Sequence, residues 1–150
     1  MKNKGFSLIE LLVVIAVLGS LATIVVLRFT GSQASARDAR RQSDLRQYQT
    51  ALEVYANRSN SLYPVQTSTV NIATNLCGTL GLSNCPRDPQ ESSSVFYRYQ
   101  SDNSGTNYVL WANLERTNTT GQSEIFVLCS NGKAGKTNSS TSISGGNCPI

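Results

Sequence analysis

The chain contains no histidine among its 150 residues, which removes the commonest general base and the commonest metal ligand together. Charge is sparse: 13 Lys and Arg stand against 9 Asp and Glu, a net charge of +4. Two of the basic residues, Lys2 and Lys4, precede the first apolar run, so the remaining excess is too small to specify a nucleic-acid surface. No proline occurs before Pro64, and no cysteine before Cys77. Nothing of that kind therefore interrupts a helix in the first third of the chain. Glycine-rich phosphate loops are absent. Asp88 in CPRDPQ, Asp102 and Glu115 are candidate acids, but no base or nucleophile accompanies them, and Asp88 reads as the cap of a turn. The composition argues against an enzyme and calls for no cofactor.

What is present begins with MKNKGFSLIELLVVIAVLGS, an apolar run interrupted by one carboxylate, Glu10. Leu11 to Leu27 are seventeen uncharged residues, twelve of them Leu, Ile or Val, just long enough to cross a hydrocarbon core as a helix. At about 0.3–0.6 kcal/mol each, these residues outweigh a carboxylate near the edge, which costs at most ~3 kcal/mol. Lys2 and Lys4 orient such a span with its N-terminus in the cytoplasm. A secretory signal peptide cut near Ala22 is the competing reading, but Glu10 falls where such cores are uncharged.

Leu45, Tyr48, Leu52 and Tyr55 recur at spacings of three and four, which predicts that the helix continues to about Arg58 with one apolar face. Arg37, Arg40, Arg41, Asp38 and Asp44 read as its solvated face, with Arg40 and Asp44 one turn apart. A Ser-, Thr-, Asn- and Pro-rich connection covers 59–93. Strand-like runs follow at 94–100, 107–115 and 123–130, and their alternation suits an antiparallel meander with one face on a core. The sequence DNSG at 102–105 marks a turn, and by composition 131–147 looks disordered.

Four cysteines in the C-terminal half favour disulfides in an oxidising compartment over a zinc site, whose tight ligand pairs are missing. Of the three connectivities, Cys77–Cys85 with Cys129–Cys148 needs the shortest loops, and the second bond would hold 131–147 as a closed surface loop. Asn57, Asn118 and Asn138 stand in N-x-Ser/Thr sequons, candidates for glycosylation. Asp102 and Asn103 supply too few oxygens for calcium by themselves, so they are only a weak candidate.

The stretch KGFSLIELLVVIAVLGS resembles the N-terminus of type IV pilins and of the pseudopilins of type II secretion. ARDARRQSDLRQYQTALEVYANRSNSLYP resembles the helix of short pilins and of the major pseudopilin. The resemblance implies a leader at 1–5, a transmembrane and assembly helix at 6–28, and an extracytoplasmic domain at 29–150. That domain divides into helix at 29–58, connection at 59–93, and sheet and tail at 94–150. The implied fold is α+β: a long N-terminal helix packed on a small antiparallel sheet with a disulfide-closed C-terminal loop. A prepilin peptidase would cut between Gly5 and Phe6 and methylate Phe6, leaving a cationic amine. Glu10 of one subunit would then pair with that amine on a neighbour, since a carboxylate in a membrane bundle needs a counter-charge. The implied function is that of a pilin, polymerised with itself as a helical homopolymer into a surface filament. Its implied partners are the peptidase, a membrane assembly platform and minor pilins. The alternative is a pseudopilin of a secretion or DNA-uptake system, or a minor pilin binding DNA or a surface receptor. Many pilins carry proline where this chain has Leu27, so the helix unwinding that accompanies it is not implied here.

Overall fold

The computed structural model describes residues 6–150, except for the side chains of 24–30. Helix α1 spans Leu8–Arg58, β1 Val70–Asn71, α2 Ile72–Asn75, β2 Arg98–Ser101, β3 Tyr108–Thr117, β4 Ser123–Cys129 and β5 Ala134–Asn138. The chain divides into two compact units, Met1–Ala34 and Ser35–Ile150.

In the first unit, α1 begins with a side-chain cap. Leu8 is its first residue, so Glu10 stands three positions after Ser7, and its Oε2 accepts the Ser7 backbone N–H at 2.9 Å. This is the carboxylate half of a capping box. The hydroxyls of Ser20 and Thr23 donate to the carbonyls of Val17 and Ser20, so the polar side chains of the run satisfy themselves on the helix. Large apolar residues from Phe6 to Leu21 are about half exposed or more, and Phe6 is 84% exposed. A continuous apolar surface of that kind marks a membrane or protein contact. Among the described residues no helix is long and apolar enough to cross a membrane. The span expected at Leu11–Leu27 runs past Thr23 into side chains outside the described residues.

In the second unit the apolar stripe of α1 becomes core: Leu45, Tyr48 and Leu52 are wholly buried. The helix stops where Asn60 and Ser61 take left-handed backbone and the Ser61 N–H returns to the Ala56 carbonyl at 2.8 Å. The five strands form an antiparallel meander in chain order. Leu110 faces Leu128 and Ala112 faces Phe126 across β3 and β4, and these residues join the α1 stripe in one core cluster. The connection 59–93 contributes Ile72, Leu76 and Leu80 to that cluster.

Three expectations are corrected. The sheet is not open on its second face: Val109, Trp111, Ile125, Val127 and Cys129 form a second cluster, closed over by Ile143, Cys148 and Ile150. The strand read at 94–100 is confined to Arg98–Ser101, while β1 and α2 arise within the connection. Residues 134–138, expected to lie in a closed surface loop, are β5. Their order comes from backbone pairing with β4, from Leu128 opposite Ala134 to Glu124 opposite Asn138, and not from side-chain burial. A tight turn with Gly132 at φ +81° returns the chain onto β4, and composition carries no signal for such pairing. Disulfides join Cys77 to Cys85 and Cys129 to Cys148, with Cα–Cα separations of 5.9 and 5.7 Å.

Candidate functional site

Two groups of side chains carry the chemistry, one in each unit. At the N-terminus, Phe6, Ile9, Glu10, Val13 and Val14 line one shallow apolar depression, with the Glu10 carboxylate as its charged member. The capping bond uses Oε2 of Glu10. Gly5, one side of the expected cleavage junction, lies outside the described residues, as do Lys2 and Lys4.

The second group was expected to be solvated and is not. Arg41 and Asp38 were assigned to the wet face of α1, yet they are 1% and 5% exposed. Arg41 donates through Nε and Nη2 to both oxygens of Asp88, through Nη1 to Asp38 at 2.8 Å, and through Nη1 to Glu115 at 2.6 Å. Arg37 holds Glu115 as well, its Nε donating at 2.7 Å. The Asp38 carboxylate accepts the backbone N–H groups of Glu115 and Arg116 at 2.9 and 3.1 Å. Burial opposes the Arg41 charge, but the hydrogen bonds of Asp88, Glu115 and Asp38 more than offset it and raise its pKa. The hydrogen bond from Arg37, joined by that from Arg41, holds Glu115 down to about 2. Two carboxylates weighed as catalytic acids, Asp88 and Glu115, are therefore neutralised anchors between α1, β3 and the 86–91 segment. Asp88 also accepts the Gln90 N–H at 2.9 Å, so its turn-capping role coexists with the ion pair.

The spacing held a signal for this. Positions 38, 41, 45, 48 and 52 continue one helical stripe, so Asp38 and Arg41 sit on the buried face, where a charge needs a partner. Arg40 and Asp44, one turn apart on the more exposed side, approach to 3.7 Å. A second, half-buried polar group escaped sequence reading altogether: the hydroxyls of Tyr63 and Tyr108 both donate to Glu53.

Of the remaining candidates, Asp102 accepts the Thr106 N–H at 2.8 Å and bonds the Thr106 hydroxyl and the Asn107 amide. Those donors hold its pKa well below the ordinary carboxylate range. Asn103 is exposed beside it, and no group of three or more metal-ligating residues occurs among the described residues. Asn57 is exposed in the last turn of α1. Asn118 is tied into the turn before β4 by bonds from Thr120 and Gln122 and donates to Asn138 at 3.3 Å.

Residues 1–26 match the family model described as the prokaryotic N-terminal methylation motif. The type II secretion system core protein G of Klebsiella pneumoniae is 40% identical over 63 residues, 42% of this chain and 44% of that protein. Its counterparts in Pectobacterium carotovorum subsp. carotovorum and Vibrio cholerae serotype O1 are each 36% identical over 63 residues, 42% of this chain and 40% and 42% of theirs. The N-terminal segment thus carries the prepilin-type methylation motif and is similar to pseudopilins of type II secretion. The chain spans less than half the length of the curated relatives it matches. No solved structure matches it. The pilin-like motif covers the whole N-terminal group, including Phe6 and Glu10, whereas the Arg41 network lies outside residues 1–26.

Proposed function

We propose that this chain is a pseudopilin: a structural subunit, not an enzyme, that is cut at Gly5–Phe6, methylated at Phe6 and assembled through α1 into a short filament serving protein secretion. The observation that carries the reading is the motif at 1–26 together with relatives that are each a type II secretion system core protein G. These relatives favour the secretion reading over the surface pilus that the sequence first suggests. Residues 6–28 would be stored as a single membrane span with the N-terminus in the cytoplasm, and 29–150 would lie on the outer side. The partners are other copies of this chain, a prepilin peptidase, and an assembly platform with minor subunits.

In this reading Glu10 has two successive roles. In the lone subunit it caps its own helix through the Ser7 N–H. In the filament it meets the Phe6 amine of a neighbour, and an unpaired charge in that bundle would be costly. The reading is tested in cells carrying the chain at native level, by N-terminal sequencing of membrane protein and electron microscopy of sheared material. A mature terminus at Phe6 with secretion lost on deletion, and no long surface filament, supports it. A terminus near Thr23 removes it, and long sheared pili in cells that secrete normally return the reading to a pilin.

A further inference from the structure

On the sheet face opposite α1 lies a cleft of about 330 Å³, bordered by Arg98, Trp111, Asn113, Thr69, Ser139 and Thr141, with Ile125 and Ile143 completing its walls. Arg98 on β2 stands directly opposite Trp111 on β3. Its guanidinium is fixed in place: it lies 4.7 Å from the centroid of the Phe96 ring, and it donates to the Ser94 carbonyl at 2.6 Å and to Asn113 Oδ1 at 3.3 Å. Arg37, Arg40, Arg41 and Arg87 all hold carboxylates, but Arg98 forms no ion pair among the described residues. Burial lowers its pKa, the mark of a cation with too little compensation where it stands. Trp111 is only 7% exposed and borders the cleft. Because Asn113 spends its oxygen on Arg98, its amide N–H groups are left as donors at an exposed position.

We propose that this cleft binds an acidic sugar unit, with the carboxylate on Arg98 and the ring between Trp111 and the hydroxyl-bearing rim. One guanidinium without a second cation or a nest of backbone N–H groups matches a carboxylate better than a phosphate dianion. The rim of Thr69, Ser139 and Thr141 hydroxyls with the Asn113 amide matches a polyhydroxylated ligand, which both donates and accepts. The volume lies at the small end of the range for small-molecule sites, roughly 300–1,000 Å³, enough for a sugar ring. The site belongs to the second unit, and it does not depend on which kind of filament the chain builds.

Trp111 is the single tryptophan and borders the cleft, so its fluorescence and its indole N–H resonance report a ligand bound there. The processed full chain, held in a zwitterionic detergent without sugar headgroups, is titrated with D-glucuronate, with D-glucose and with acetate. A saturable change with glucuronate, at least about tenfold weaker with glucose and with acetate, is the expected result. Arg98→Gln should weaken glucuronate about tenfold while leaving the circular dichroism melt in place. Should Arg98→Gln not fold, Asn113→Ala and Ser139→Ala at exposed positions should each weaken glucuronate several-fold. Glucose or acetate matching glucuronate, variants binding like the parent, or no saturation by about 50 mM would each overturn the proposal.

Discussion

Arg41 grips Asp88 with two edges of its guanidinium, Nε to Oδ2 at 2.7 Å and Nη2 to Oδ1 at 2.9 Å, and each side chain is 1% exposed. The two residues are 47 positions apart, so this pair fixes the 86–91 segment onto α1. Removing Arg41 leaves the Asp88 charge buried without a cation, and removing Asp88 takes from Arg41 the one carboxylate it grips with two edges. Asp88→Ala and Arg41→Ala should each cost about 3–5 kcal/mol, and Arg41→Lys should recover little, since a point charge cannot make the two-edged contact. Urea unfolding followed through Trp111 measures this, and a loss under ~1 kcal/mol for Asp88→Ala would show that the network contributes little.

Acid should loosen the same region from the Glu115 side. Its folded pKa is depressed from 4.5 to about 2, chiefly by the hydrogen bond from Arg37. The associated stability is therefore complete above pH 4.5 and is lost as pH falls from there toward 2. A fifth of the side chain is reached by water, so the contribution is on the order of 1 kcal/mol after screening. Glu115→Gln should flatten the pH dependence of the melting temperature within that window and leave its neutral-pH slope alone. An unchanged acid slope would assign the effect to other carboxylates.

Glu10 offers a cleaner dissection than a simple deletion. Glutamine at the third helical position still bonds the Ser7 N–H, so Glu10→Gln keeps the cap and loses the charge. Glu10→Val loses both and makes the run more apolar, so membrane retention should hold or improve. If the carboxylate acts as a counter-charge to the Phe6 amine of a neighbour, both variants should be processed and both should assemble poorly. The ratio of sheared filament to processed membrane pool decides: Gln assembling like the parent while Val fails would reduce Glu10 to a cap.

The bond between Cys129 and Cys148 closes a stretch with a sequence separation of 19, worth roughly 3 kcal/mol by restriction of the unfolded chain. Cys148→Ser should release the segment after β5 and withdraw Ile143 and Ile150 from the second cluster. Trp111 fluorescence should then shift to the red and proteolysis should begin beyond residue 138. Amides of β5 should stay protected, because the strand is held to β4 by backbone pairing and a Lys136–Glu124 contact that do not involve the disulfide. Loss of that protection would mean that the bond, and not the turn at Gly132, orders the strand.

How much of this was legible varies by element for physical reasons. The α1 stripe was visible because Leu45, Tyr48 and Leu52 obey helical spacing with residue types that go inside. Arg41 obeys the same spacing but carries a residue type that reads as wet, and its partners Asp88 and Glu115 are distant in sequence. Trp111 and Val109 alternate against Leu110 as a strand should, yet alternation cannot reveal that a distant tail covers the second face. β5 was hidden because AGKTN carries almost no β signal, and its pairing is fixed by the neighbour it meets. At the N-terminus, Glu10 drew attention as a charge, while its bond to Ser7 went unread although S-x-x-E is itself a helix-start signature.

The position of the ion network along α1 also has a mechanical meaning. A pull that travels down the helix enters the second unit at Ser35 and meets Arg37, Asp38 and Arg41 before it reaches Leu45. Asp38 holds two main-chain N–H groups of β3, and Arg37 and Arg41 share Glu115 on that strand. A load on this part of α1 would therefore reach β3 through directional polar bonds placed ahead of the apolar stripe.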